Sequence, residues 1–299
     1  SSSQVNLECF ITHNGDLDFY EWHGTVYPLD DVFALLECFL CCKKPAPVDS
    51  AGVAGLLDLL RCKGMWHASV RYGYVFGGLE SAGNLVAAMP YLWSAGTLAS
   101  IAATFEQTWE GVVNSSLPGT EGQFHDIMLD KMLTLLPKLE LHLPPSVAKI
   151  ENGVQAAGEA LVRSAVGAFF RQDLLAAGRQ LLDKAEGSFG LVLSTSLDAA
   201  SEIVIAARGQ TMSVAFYPRL GMFTFGSESS ATKAGLGRMM EGCTADKMNS
   251  QMLGDDFLDG FRFDLDDVNG EVMLLRWGKD SAGSDLDASK HGLGSVPAT

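Results

Sequence analysis

Two hydrophobic periods divide the chain. Before Gly187 the apolar positions recur mostly at helical spacing, and after it they alternate as in strands. Residues 5–12 read as an opening strand. Residues 28–42 read as a helix, with Pro28 in its first turn, Asp30 and Asp31 suited to its N-terminal dipole, and Lys43 and Lys44 closing it. Pro45-Ala46-Pro47 breaks the chain. Asp49-Ser50 opens a second helix that runs to about Cys62, with Gly64 as its stop. Residues 69–76 alternate and predict a strand, 110–123 a loop, 124–136 a short amphipathic helix stopped by Pro137, and 146–185 continuous helix, in one or two pieces. Four strands are then predicted at 188–194, 202–207, 211–216 and 222–226, separated by turns at Asp198, Arg208-Gly209 and 218–221. A helix at 230–240 and a last hairpin, 261–263 with 271–277 around 266–270, complete the pattern. Residues 279–299, rich in Ser, Gly, Asp and Lys, predict a disordered tail. A strand, then helices, then several antiparallel strands make an α+β fold.

Residues 81–105 carry no charged side chain and are long enough to span a bilayer. Asn84, Pro90 and several Ser and Gly interrupt the run, however, and Glu80 and Glu106 flank it where Lys or Arg would anchor a span. A buried helical hairpin, or a helix docked on a partner, is the expected form, with membrane association as the lesser alternative.

Composition narrows the function classes. The chain has 299 residues, is 47% hydrophobic, and holds 21 Lys and Arg against 36 Asp and Glu, a net charge of −15. An acidic surface lacks the clustered cations that neutralise phosphates, so nucleic acid is excluded as a partner. The six cysteines are not spaced as a disulfide framework, and Cys38, Cys41 and Cys42 fall in an apolar helical run as buried thiols rather than a metal site. An intracellular, reducing compartment follows. The chain opens on Ser1-Ser2-Ser3 without a signal-peptide pattern and is expected to be a processed or incomplete piece.

One tripeptide carries candidate chemistry. His13-Asn14-Gly15 ends the first predicted strand and has two readings. Asn-Gly is the commonest hairpin signal. A sharp turn there would also aim backbone N–H groups and the Asn amide in one direction, the geometry of an oxyanion hole.

Five stretches in order favour the second reading by resemblance. Phe10-Ile-Thr-His-Asn-Gly-Asp-Leu-Asp resembles the His-Asn-Gly segment of class II (N-terminal-nucleophile) glutamine amidotransferases, most nearly the glutaminase half of glucosamine–fructose-6-phosphate aminotransferase. Val48-Asp49-Ser50 is similar to that family's Thr-Asp-Thr segment. Ala185-Glu-Gly-Ser-Phe-Gly-Leu-Val-Leu, Ile205-Ala-Ala-Arg-Gly-Gln and Met222-Phe-Thr-Phe-Gly-Ser-Glu-Ser-Ser-Ala resemble its later strands; in addition to these five, residues 263–275 resemble its closing hairpin. The resemblance covers about 5–62 and 180–277. It implies a four-layer αββα sandwich of antiparallel sheets, one domain over 1–278, with a helical insertion at about 63–180.

The implied site is limited to matching positions. Asn14 and Gly15 would form the oxyanion hole, by side-chain amide and backbone N–H. Asp49 would bind the α-ammonium of glutamine, and could cap its helix as well. His13 is structural. The family's nucleophile is an N-terminal Cys whose own α-amine is the base, on a strand well before His-Asn-Gly; no position here matches it, nor the Arg segment that binds the substrate carboxylate. The resemblance therefore implies hydrolysis of glutamine to glutamate and ammonia, without a cofactor. An N-terminal segment or partner would supply the nucleophile, and an acceptor domain or protein would take the ammonia. The alternative is an inactive scaffold or assembly subunit that keeps the fold.

Overall fold

A computed structural model describes residues 7–40, 48–88, 95–115, 119–217, 221–228, 261–277 and 295–297. The chain divides into two compact units, Leu17–Glu186 and the combination of Ser1–Asp16 with Gly187–Thr299. The helical residues 63–180, expected as an insertion, thus belong to the same unit as residues 17–62.

Strand β1 (Cys9–Trp22) runs through the first unit boundary and turns back into β2 (Thr25–Pro28), Trp22 pairing with Thr25 and Phe19 with Pro28. Pro28 therefore ends a strand rather than starting a helix. Helices α1 (Leu29–Leu40) and α2 (Asp49–Leu60) follow close to their predicted positions. Next comes α3 (Trp66–Gly73), continued by a π-helical turn at Tyr74–Gly78 and, after a 3-10 turn at Glu80–Ala82, by α4 (Leu85–Ala88) and α5 (Ala95–Ser115). The unit is completed by α6 (Glu121–Leu135), α7 (Pro145–Ala148), α8 (Gly153–Arg171) and α9 (Leu174–Lys184).

The strand expected at 69–76 is helical. Its β-branched and aromatic residues favour a strand only where packing does not decide otherwise, and here packing decides. A Cβ on Gly73 would lie 2.5 Å from the Leu161 carbonyl and 2.7 Å from Ala165 Cβ, and one on Gly77 2.4 Å from the Ala160 carbonyl. Helix α3 and its π turn therefore touch α8 backbone to backbone. Ser69 donates its hydroxyl to the Met65 carbonyl one turn back (2.8 Å), and buried Arg71 pairs with Asp58 at 3.3 Å. Trp66 stacks on Phe169, ring centroids 3.7 Å apart and planes 5° from parallel. Gly73→Val would drive a branched side chain into the α8 backbone. Overpacking of that kind costs about 3 kcal/mol, and a lowered urea midpoint with unchanged slope would register it.

The uncharged run at 81–105 is not a uniformly buried hairpin. Residues 89–94 lie outside the described set, and α5 covers only one face: Leu98, Ile101, Ala102 and Phe105 are buried, whereas Ala99 and Ser100 are exposed. No helix among the described residues is long and apolar enough to cross a membrane. The loop expected at 110–123 shrinks because α5 continues to Ser115, whose hydroxyl bonds the Gly111 carbonyl at 2.5 Å and so accommodates a polar residue within the helix. Thr120 then caps α6 in a reciprocal arrangement with Gln123, satisfying two first-turn donors.

In the other unit, β3 (Ala185–Thr195), β4 (Glu202–Arg208), β5 (Ser213–Tyr217) and β6 (Met222–Gly226) fall where alternation predicted them, followed by β7 (Phe261–Asp264), β8 (Glu271–Arg276) and β9 (Ser295–Pro297). One sheet orders β1, β3, β4, β8 and β9 side by side, with β2 beyond β1; a second orders β6, β5 and β7. Val192, Ile205 and Ala207, with Met273 and Leu275, share a buried cluster with Met212, Val214 and Phe216, so the two sheets pack face to face. The closing hairpin expected at 261–277 does not form. Strand β7 pairs with β5 and β8 with β4, in different sheets. Asp266 makes the crossing: its carboxylate accepts from the Asn269 side chain and from the backbone N–H groups of Val268 and Asn269. Those bonds, led by Asn269, hold its pKa below the usual carboxylate value. Of the tail at 279–299, Ser295–Pro297 pairs with β8, and the remainder lies outside the described residues, as does the helix expected at 230–240.

Candidate functional site

Asn14 and Gly15 do not make a hairpin turn. The turn comes further along, at His23-Gly24, where both residues have positive φ (49° and 73°) as a primed two-residue loop requires. Asn14 and Gly15 instead sit inside β1. Along the first part of that strand Phe10, Thr12, Asn14 and Asp16 are exposed, while Ile11, His13 and Gly15 are partly covered and Leu17 is buried. The phase then shifts, because Asp18 and Phe19 are both exposed before Tyr20 and Trp22 turn inward. His13 faces away from the Asn14 side, in keeping with a structural role.

Gly15 is required by proximity. Its φ is +110°, and a Cβ there would lie 1.9 Å from the Ser188 carbonyl oxygen and 2.9 Å from Phe189 Cα. On the other side of Ser188 stands Gly209 (φ +70°), where a Cβ would meet the Ser188 Oγ at 2.5 Å. Phe189 bridges Gly209, whose N–H donates to the Asp267 carbonyl at 2.6 Å. Ser188 is thus wedged between two glycines, Gly15 inside β1 and Gly209 just past the end of β4. The next residue, Gln210, reaches Asn14: Nδ2 of Asn14 donates to Gln210 Oε1 at 3.4 Å. An Asn amide nitrogen carries two hydrogens, so this bond engages one and leaves one on the exposed face.

Asp49 belongs to the helical unit. It is the first residue of α2, preceded by Val48 as the N-cap, which makes no side-chain capping bond, so the expected capping position is displaced by one. The carboxylate still serves the helix start. Its Oδ1 accepts from Ser50 N–H at 2.7 Å and its Oδ2 from Leu17 N–H at 3.4 Å. The side chain is half-buried and held from both oxygens.

Asn14 and Gly15 are therefore joined to Ser188, Gly209 and Gln210, while Asp49 belongs to the helical unit, where it bonds Leu17. Ser188 and Gln210 are additions that sequence reasoning did not single out. Their signal was the glycine pattern: Gly15, Gly187 and Gly209 all have positive φ, and each flanks one of them or the strand they contact. Cys62 is buried just beyond the end of α2, with its thiol pushed up to about 12 by desolvation, so it supplies no thiolate at neutral pH. Cys38 is partly buried on α1, and Cys41 and Cys42 lie outside the described residues. Among the described residues no group of three His, Cys, Asp or Glu side chains could hold a metal ion. An amide N–H held in place on a strand, followed by a glycine N–H, can donate to a developing oxyanion.

No protein-family model, no curated protein and no solved structure matches this chain.

Proposed function

We propose that the chain is the oxyanion-bearing part of a class II glutamine amidotransferase-like domain, built on the four-layer αββα sandwich of that family. It would release ammonia from glutamine, using a thiol nucleophile from an N-terminal segment or partner. The observation that carries this reading is convergence. Three stretches that resemble the family meet at one corner: that at 10–18, far away in sequence, reaches the paired strands that carry 185–193 and 205–210, with Gly15 on Ser188, Ser188 on Gly209 and Asn14 on Gln210. Two antiparallel sheets sharing one core are the further support.

The chemistry follows from the donors. A thiolate adds to the side-chain amide carbon of glutamine, and the carbonyl oxygen becomes an oxyanion. Asn14 Nδ2–H and Gly15 N–H donate to it, more strongly than to the ground-state carbonyl, which lowers the barrier. Collapse, with the thiol's proton carried to the amide nitrogen by the α-amine of the N-terminal Cys, expels ammonia toward an acceptor domain or protein, and water then hydrolyses the thioester to glutamate and the free thiol. No cofactor takes part.

Asp49 recognises the α-ammonium group of the substrate in this scheme. Removing a charged hydrogen-bond partner costs about 1.5–3 kcal/mol, so Asp49→Asn is expected to raise KM for glutamine about ten- to hundredfold while kcat changes far less. Steady-state ammonia release by the natively isolated protein measures both constants. Loss confined to kcat would remove Asp49 from the substrate site.

A further inference from the structure

Asn14 can act on an oxyanion only if its amide is held. Its side chain is exposed on β1, where an Asn amide rotates freely about χ2 unless a partner fixes it. The partner is Gln210, 3.4 Å away through its Oε1. Gln210 is itself held by what precedes it. Gly209 takes a left-handed φ of +70° that other residues rarely adopt, its N–H is tied to the Asp267 carbonyl at 2.6 Å, and Phe189 bridges it from β3. Backbone restraints at 209 thus set the start of the 210 side chain, and Gln210 in turn faces Asn14.

We infer that Gln210 is a positioning residue, which orients the Asn14 amide so that its second N–H faces the reacting carbonyl. This rests on the glutaminase reading. Gln210 touches neither substrate nor nucleophile in it; its effect passes through Asn14. A Gln is suited to the task because its carbonyl oxygen accepts without bringing a negative charge beside the oxyanion.

The test is a double-mutant cycle on glutamine turnover by the natively isolated protein, joined to NMR of the Asn14 side-chain amide. One neutral hydrogen bond is worth about 0.5–1.5 kcal/mol, so Gln210→Met is expected to lower kcat about three- to tenfold with KM within about twofold. In an Asn14→Ala background the same change is expected to have no further effect on kcat, an outcome that a merely structural role would not give. The Asn14 amide protons are expected to be shifted from the free-amide position in the parent and to collapse to it in Gln210→Met. They should remain shifted in Gln210→Glu, which keeps an acceptor and provides a second folded variant. Unchanged kcat in Gln210→Met, a further loss on top of Asn14→Ala, or an Asn14 amide that ignores Gln210 would each overturn the inference while leaving the glutaminase reading intact. An Asn14→Ala enzyme with undiminished turnover would bring down both.

Discussion

Gly15→Ala is expected to unfold the junction of β1 and β3. A methyl group at this position would sit 1.9 Å from the Ser188 carbonyl oxygen, well inside contact, with backbone rather than a flexible side chain as its neighbour. The φ of +110° adds strain for any residue with a Cβ. Relief requires the two strands to part, so a cost of about 4 kcal/mol or more is expected, beyond the usual range for one substitution. That is a large share of the ~5–15 kcal/mol that holds a typical domain. Gly24→Ala is the control. Gly24 also has positive φ (+73°), but no atom lies within 4 Å of where its methyl group would stand, so only conformational strain of about 1–2 kcal/mol remains. Chemical denaturation should therefore separate the two alanine variants widely. Equal midpoints would mean that Gly15 is not pressed against Ser188.

Asn14→Ala is expected to leave the fold intact and abolish most of the chemistry. The side chain is exposed and its one described bond, to Gln210, is long at 3.4 Å, so its removal should change stability by less than about 1 kcal/mol. As an oxyanion donor it matters far more, because removing one such group costs about 2.7–4 kcal/mol in the transition state, or about two to three orders of magnitude in kcat. KM should move little, since the ground-state carbonyl uses the donor weakly. Turnover of glutamine by parent and variant, each checked for an unchanged thermal midpoint, measures this. A variant that turns over normally would show that Asn14 faces no developing charge.

The sequence made some elements legible and left others hidden, for physical reasons that differ by residue. Strands β3 to β6 were readable because period-two alternation and the Asp198, Arg208-Gly209 and 218–221 breaks agree, and nothing competes with them. Helices α1 and α2 were readable from their acidic first turns. The residues of α3 were not, since Val70, Tyr72, Tyr74 and Val75 carry β propensity that only the contact of Gly73 and Gly77 with α8 overrides. Long-range pairing also escaped: 261–277 looks like a hairpin locally, yet its two strands join different sheets. At the site, Asn14-Gly15 was identifiable as special, but its local signal pointed to a turn. What makes Gly15 obligatory is Ser188, distant in sequence, and what holds Asn14 is Gln210, which ends the stretch at 205–210 but whose pairing with Asn14 only the fold reveals.

The most direct measurement is the stoichiometry of glutamine hydrolysis by the protein isolated from its native source, with the N-termini of all co-purifying chains sequenced. Glutamate and ammonia are expected in equal amounts, from a preparation that contains a chain beginning with Cys. A preparation with such a chain that binds glutamine but releases no ammonia, or ammonia release that persists at full rate in Asn14→Ala, would contradict the glutaminase reading.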